Sequence, residues 1–151
     1  MNGQAHGDPL VINLLIEEWG VKRILMDIGI SVEVLFYDTF KRMELYDKIL
    51  IPSTYQIYGF NGTVSVPKGE VTLRVSNGEG YLDMLTTFCI VDVVSPYEAI
   101  LGRPWIAGIK GVASAYHQRL RFPSYKGVVE VLGDPQAALQ CMQLDIQQNK
   151  E

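Results

Sequence analysis

One acidic residue, Asp27, stands between two apolar runs in the stretch ILMDIGI over residues 24–30. A carboxylate is costly to bury among apolar groups unless hydrogen bonds or another charge compensate it. If the preceding run is a strand, Asp27 lies at its end, where its oxygens can accept N–H groups from the following turn. Gly29 would allow that turn to approach closely or to adopt a positive φ. An isolated Asp-x-Gly is more often a turn cap than an acid–base catalyst, so catalysis by this carboxyl group needs a second signal.

The other reactive side chains form no recognisable catalytic or metal-binding pattern. The sequence contains no Gly-x-Ser-x-Gly, and Ser114 near His117 is more simply a loop serine beside a surface histidine. The potential zinc ligands are spread along the chain without a zinc spacing; they are His6, Cys89, His117 and Cys141. We therefore expect neither a metal nor a cofactor.

Composition excludes several classes of protein. The 151 residues are expected to form a single domain, residues 1–151, and their 48% hydrophobic content is ordinary for a globular chain. A net charge of −4 argues against binding to nucleic acid. No apolar run approaches the ~18 residues of a membrane span. The start lacks a secretory signal, and two cysteines are too few for a disulfide framework, so an intracellular, cytoplasmic protein with reduced thiols is expected.

The hydrophobic pattern predicts a mostly β fold. Apolar, β-branched or alternating runs favour strands at residues 10–16, 21–27, 70–76, 81–94, 117–123 and 127–133. Asn61-Gly62, a strong two-residue turn signal, predicts a hairpin between 53–60 and 63–66. Apolar residues at three- and four-residue steps favour one amphipathic helix over 32–43. Asp134 as N-cap and Pro135 after it predict a helix at the C-terminus.

A second signal comes from Ile100-Leu101-Gly102, late in the chain. Three stretches together, in their order and spacing, resemble the retropepsin-like aspartic protease domain of plant gypsy-type LTR retrotransposon polyproteins. The stretches are HGDPLVINLLIEEWGVKRILMDIGISVEVLF, YGFNGTVSVPKGEVTL and FCIVDVVSPYEAILGRPWI. The resemblance covers about residues 6–134 and leaves 135–151 as a C-terminal helical extension.

This resemblance implies a closed retropepsin-like β-barrel with one or two short helices, active as a homodimer. It implies that Asp27 is the catalytic carboxylate that each subunit contributes, that Gly29 lies in its turn, and that the Ile-Leu-Gly element braces the catalytic loop. The flap over the substrate falls on the hairpin of Tyr58, Gly59, Phe60, Asn61 and Gly62. Ile28 and Ile30 fall beside the substrate.

Ile28 and Ile30 also depart from the family pattern. Relatives carry Thr, Ser or another small or polar residue after the Asp, and a small residue after the Gly. The resemblance implies an aspartic endopeptidase that cleaves polyprotein peptide bonds, whereas these two isoleucines leave open a catalytically inactive module for dimerisation or peptide binding. An unrelated β-barrel binding domain would require three matching stretches to be coincidence.

Overall fold

Strands dominate the residues that this computed structural model describes, 8–58 and 64–149. The strands are β1 (Leu10–Ile16), β2 (Trp19–Met26), β3 (Glu33–Phe36), β4 (Ile57–Tyr58), β5 (Val64–Ser65), β6 (Gly69–Ser76), β7 (Asp83–Val91), β8 (Ala99–Leu101), β9 (Val112–Ser114), β10 (Arg119–Ser124) and β11 (Gly127–Leu132). The helices are α1 (Tyr37–Arg42), α2 (Arg103–Gly108) and α3 (Pro135–Asn149), with a 3-10 turn at Asp47–Ile49.

Six of these strands close into a barrel in the order β1-β2-β8-β3-β7-β6, and β1 then pairs with β6. Each barrel strand therefore has a hydrogen-bonded neighbour on both sides, and β1 and β6 are joined where Leu15 lies opposite Ser76 and Ile16 opposite Val75. A three-stranded sheet, β11-β10-β9, and the two-stranded β4-β5 complete the β structure. The prediction of a mostly β fold with a closed barrel is confirmed by this topology.

Two hydrophobic clusters cover opposite faces of the barrel strands. Because side chains alternate along a strand, Ile24 and Met26 of β2 join the larger cluster and Leu25 joins the smaller one. The smaller cluster consists of Val11, Leu25, Val34, Phe36, Cys89, Val91, Ile100, Ala137 and Ala138. The central strands are thus buried on both faces, which fixes the end of β2 firmly in the fold.

The short strand β8 has two different neighbours. It runs parallel to β2, with Met26 opposite Leu101, and antiparallel to β3, with Val34 opposite Ile100. This arrangement places the end of β8 beside the end of β2. It therefore brings residues that are about 75 positions apart in the sequence into one corner of the barrel.

The single helix predicted over residues 32–43 is wrong in its first part. Glu33–Phe36 forms β3, which pairs with β7 and β8, and only Tyr37–Arg42 is helical. All four residues of β3 are buried, so the strand shows no alternation. The spacing of Val32, Leu35 and Phe36 is the same as that on the apolar face of a helix, so it did not distinguish this buried strand from a helix.

Helix α3 begins as the sequence predicts. The Ala137 N–H donates to Asp134 Oδ1 at 3.0 Å, and Pro135 is the first helical residue. Ala138 and Cys141 are buried. The helix contacts β1 and β2 through this apolar side.

Both cysteines, Cys89 and Cys141, are free and buried. Burial raises the pKa of the Cys89 thiol to about 11, so it is protonated at neutral pH. Within the described parts of the chain, no helix is long and apolar enough to cross a membrane.

Candidate active site

Asp27 directly follows β2, and its backbone is tied to β8. Its N–H donates to the carbonyl of Leu101 at 3.0 Å, which extends the parallel pairing of the two strands by one residue. The side chain is neither fully buried nor fully exposed. A half-buried carboxylate on a fixed backbone is suited to acid–base chemistry, because solvent and substrate can still reach it.

Gly29 keeps the turn after Asp27 tight. Its N–H donates to Asp27 Oδ1 at 2.8 Å, and the Ile30 N–H donates to the Asp27 carbonyl at 3.4 Å. Gly29 does not have a positive φ. A Cβ at this position would lie 3.0 Å from Asp27 Oδ1, so the glycine permits close approach rather than a left-handed backbone.

The Ile100-Leu101-Gly102 element packs directly against this turn, as the sequence predicts. A Cβ on Gly102 would lie 2.5 Å from the carbonyl oxygen of Val32 and 2.8 Å from that of Ile30. Both neighbours are backbone atoms and cannot rotate away. The contact therefore requires glycine at residue 102.

Arg103, which sequence reasoning missed, holds the same turn through two hydrogen bonds. Its backbone N–H donates to the Ile30 carbonyl at 2.9 Å, and its guanidinium donates to the Ile28 carbonyl at 3.1 Å. The only signal in the sequence was a cation immediately after Gly102. Its partners are carbonyl groups more than 70 residues away, which no local pattern reveals.

Glu33, at the start of β3, was also missed. It is 8% exposed, and its Oε2 accepts the backbone N–H of Trp105 at 3.1 Å. Burial raises the pKa of this carboxyl, while backbone hydrogen bonds from Trp105 and Gly102 act in the opposite direction. The group links the segment after Asp27 to the first turn of α2.

The two isoleucines of the turn have different surroundings. Ile28 is 59% exposed beside Asp27, so an apolar side chain is presented to solvent at the candidate site. Ile30 is partly buried and packs against the smaller cluster. Only Ile28 is therefore freely available to a substrate or to a second protein chain.

Comparison with solved structures finds the same architecture elsewhere. The retroviral protease-like domain of Ddi1 from Leishmania major superimposes with a TM-score of 0.64 at 14% identity, over 85% of this chain and 95% of that one. The fold is retropepsin-like. A retropepsin-like aspartic protease from Rickettsia conorii aligns over 80% of this chain and 79% of that one, at 15% identity and a TM-score of 0.47. No protein-family model and no curated protein matches the sequence.

The flap predicted for this retropepsin-like fold is described only at its base. Strands β4 and β5 pair antiparallel, with Tyr58 opposite Val64. The other predicted flap residues, Gly59, Phe60, Asn61 and Gly62, lie outside the described residues, as does the side chain of Tyr58. Of the predicted hairpin strands, 53–60 and 63–66, only Ile57–Tyr58 and Val64–Ser65 are strands among the described residues, and 53–56 is not.

A cavity of about 780 Å³ lies elsewhere on the retropepsin-like barrel. Phe36 and Glu98 are among its lining residues, near the start of β8, whereas Asp27 lies beside the end of that strand and does not line it. The described residues contain no group of three or more side chains that could hold a metal ion.

Proposed function

We propose that this chain is an aspartic endopeptidase in which Asp27 is the catalytic carboxylate and two copies of the chain form the active enzyme. The observation that carries the proposal is the fixed position of Asp27. Its N–H is bonded to Leu101 and its carboxylate to the Gly29 N–H, at the end of a strand whose last three residues are buried. A rigid scaffold of this kind keeps the reactive oxygens in one place.

The proposal requires a second copy because peptide hydrolysis by carboxyl groups uses two of them. Asp27 belongs to the only Asp-x-Gly in the sequence. A two-fold dimer that joins the Asp27 turns would bring two identical carboxylates together. Two such groups a few ångströms apart cannot both ionise, so they share one proton.

In that dimer the ionised Asp27 removes a proton from a water molecule, and the water oxygen attacks the carbonyl carbon of the peptide bond. The protonated Asp27 of the second copy donates its proton to the carbonyl oxygen, which gives a neutral tetrahedral gem-diol intermediate. The first Asp27, now protonated, then gives its proton to the amide nitrogen, while the second, now ionised, takes a proton from a gem-diol hydroxyl. The C–N bond breaks, an amine and a carboxylic acid leave, and the two carboxyl groups again share one proton. No cofactor is needed for this sequence of steps.

The proposed substrate is an extended segment of a polyprotein of the retrotransposon type, processed inside the cell. The hairpin that includes Tyr58, Gly59, Phe60, Asn61 and Gly62 would act as a flap over it. Ile28, exposed beside Asp27, would contact the substrate. Ile30 would contribute to this surface only through its partly exposed portion.

A second candidate function, a catalytically inactive dimerisation or peptide-binding module, is favoured by the nature of Ile28. Relatives carry Thr, Ser or another small or polar residue at this position, and in retropepsins the hydroxyl ties the two turns of the dimer together. Isoleucine can donate no hydrogen bond. The fold is unaffected by this change, but the pairing of two Asp27 turns would be weaker.

The two functions are separated by a peptide-library digest with wild-type protein and Asp27→Asn at acidic and neutral pH. We expect cleavage at acidic pH that Asp27→Asn abolishes, because an amide cannot act as the base. Asp38→Asn, a change at an exposed carboxylate on α1, is the matched control and should leave cleavage intact. Cleavage that survives Asp27→Asn would place the chemistry elsewhere, and a complete absence of cleavage with an intact dimer would favour the binding module.

A further inference from the structure

The backbone N–H groups in the first turn of α2 find their acceptors in the segment that follows Asp27. Gly102, the N-cap residue, provides no side chain, so the first N–H groups of the helix need partners from elsewhere. The Arg103 N–H donates to the Ile30 carbonyl, and the Trp105 N–H donates to Glu33 Oε2. Pro104, between them, has no N–H.

Glu33 is the side-chain cap in this arrangement. It lies 72 residues before Trp105 in the sequence and is 8% exposed, at the buried start of β3. Trp105 is itself 1% exposed and packs in the larger cluster. Both ends of the hydrogen bond are therefore anchored in the protein interior, so the bond fixes the position of α2 relative to β3.

We propose that Glu33 is a positioning residue for the Asp27 carboxylate, acting through α2 and Arg103. Glu33 fixes the first turn of α2, and that turn places Arg103. Arg103 in turn holds the carbonyls of Ile28 and Ile30, on either side of Gly29. The inference rests on the proposed function only for its effect on catalysis; the effect on the turn itself follows from the fold.

Two conservative variants separate the length of the Glu33 side chain from its charge. Glu33→Gln keeps the length and an acceptor oxygen for the Trp105 N–H but removes the charge. Glu33→Asp keeps the charge but is one methylene shorter and no longer reaches that N–H. If Glu33 positions the turn, Gln should behave like the wild type and Asp should not.

The first measurement is peptide cleavage, with kcat and KM determined separately. For Glu33→Asp we expect kcat to fall about 10- to 100-fold with KM within about twofold, because a displacement of ~1 Å at a reacting group can cost ~100-fold in rate. Glu33→Gln should retain most of the wild-type kcat. Thr86→Val, which removes a buried hydroxyl bonded to the Met84 carbonyl on β7, is the control for loss of a buried hydrogen bond and should leave kcat unchanged.

The second measurement is amide hydrogen exchange, which does not depend on activity. Glu33→Asp should accelerate exchange at least about tenfold in the peptides that cover residues 27–30 and 103–106, whereas Glu33→Gln and Thr86→Val should not. Unchanged exchange over 27–30 in Glu33→Asp would overturn the inference, whether or not the protein cleaves peptides. Accelerated exchange in Glu33→Asp, together with a wild type that cleaves no peptide, would support the positioning role and reject only the proposed function.

Discussion

At the scale of single residues, the Asp27 turn is held by hydrogen bonds to its backbone groups. The carbonyls of Ile28 and Ile30 accept from Arg103, and the Asp27 N–H donates to Leu101. Each such bond contributes about 1 kcal/mol net, and together they restrict the carboxylate to one position. A site built in this way is sensitive to changes in the shape of its neighbours.

Gly102→Ala tests that sensitivity. The added Cβ would lie 2.5 Å from the Val32 carbonyl oxygen, so the backbone must move, and we expect a loss of about 1–3 kcal/mol in the free energy of unfolding. Urea denaturation measures it. Gly20→Ala is the matched control, since a Cβ there meets nothing within 4 Å. Equal stability of the two variants would show that the turn and β8 are less closely packed than the structure indicates.

Glu33 gives the protein a pH-dependent stability that can be measured. Because burial raises its pKa above the ordinary value of 4.5, the folded state binds the proton more tightly than the unfolded state. The stabilisation that results from this tighter proton binding is complete below the pKa of Glu33 in the unfolded state. It is lost as the pH rises through the pKa of Glu33 in the folded state.

We therefore expect the stability of the wild type to fall relative to Glu33→Gln as the pH increases from about 4 to 8. Denaturant midpoints at a fixed protein concentration measure the difference. Glu79→Gln, a change at an exposed carboxyl, should show no comparable trend. A difference between wild type and Glu33→Gln that is constant over this pH range would contradict the assignment of a buried, titrating carboxyl.

At the scale of elements, the sequence predicts best those strands that have one side buried. In β6 the buried residues Val71, Leu73 and Val75 alternate with exposed or partly exposed ones, so the period of two is visible. Strand β10 alternates in the same way. Local turn chemistry located the start of α3 equally well, through Asp134 and Pro135.

Two short strands that are buried on both faces were predicted poorly for the same physical reason. Glu33–Phe36 and Ala99–Leu101 contain no exposed residue, so they show no periodicity, and each is only three or four residues long. The residues of the candidate site fall into two similar groups, those that the sequence predicted and those that it did not. Asp27 and Gly102 belong to recognisable local motifs, whereas Glu33 and Arg103 act through contacts more than 70 residues distant in the chain.

Helix α3 offers a prediction at this scale. Asp134→Ala removes the acceptor for the Ala137 N–H and should lower the free energy of unfolding by about 0.5–2 kcal/mol, because that N–H loses its cap. Thermal or urea denaturation measures the change. Asp134→Ser, which supplies another capping oxygen, should recover most of it; a serine variant as unstable as the alanine variant would mean that capping is not the role of Asp134.

At the scale of the whole molecule, one chain carries half of the proposed dyad. Asp27 lies at one corner of a closed barrel, with Ile28 exposed beside it. A second copy that meets this corner across a two-fold axis would bury Ile28 together with the carboxylate. The pairing of chains and the chemistry would then depend on the same few residues, so a change at Ile28 should affect both.

Ile28→Thr and Ile28→Val form the decisive pair for that dependence. Threonine and valine have nearly the same shape, but only threonine supplies a hydroxyl that can bond across the dimer. A difference between the two variants is therefore due to that hydroxyl. Each such bond is worth about 0.5–1.5 kcal/mol, and two-fold symmetry forms it twice, so Ile28→Thr should tighten self-association by about 5- to 150-fold relative to Ile28→Val.

Sedimentation over a range of protein concentrations measures the dimer, and cleavage at acidic pH should rise in Ile28→Thr but not in Ile28→Val at concentrations where the wild type is mostly monomeric. Ile30 is left unchanged because it packs against the smaller cluster, where serine would leave a cavity. If threonine and valine give the same association constant, Ile28 does not lie at a dimer axis, and the paired-carboxylate mechanism loses its structural basis.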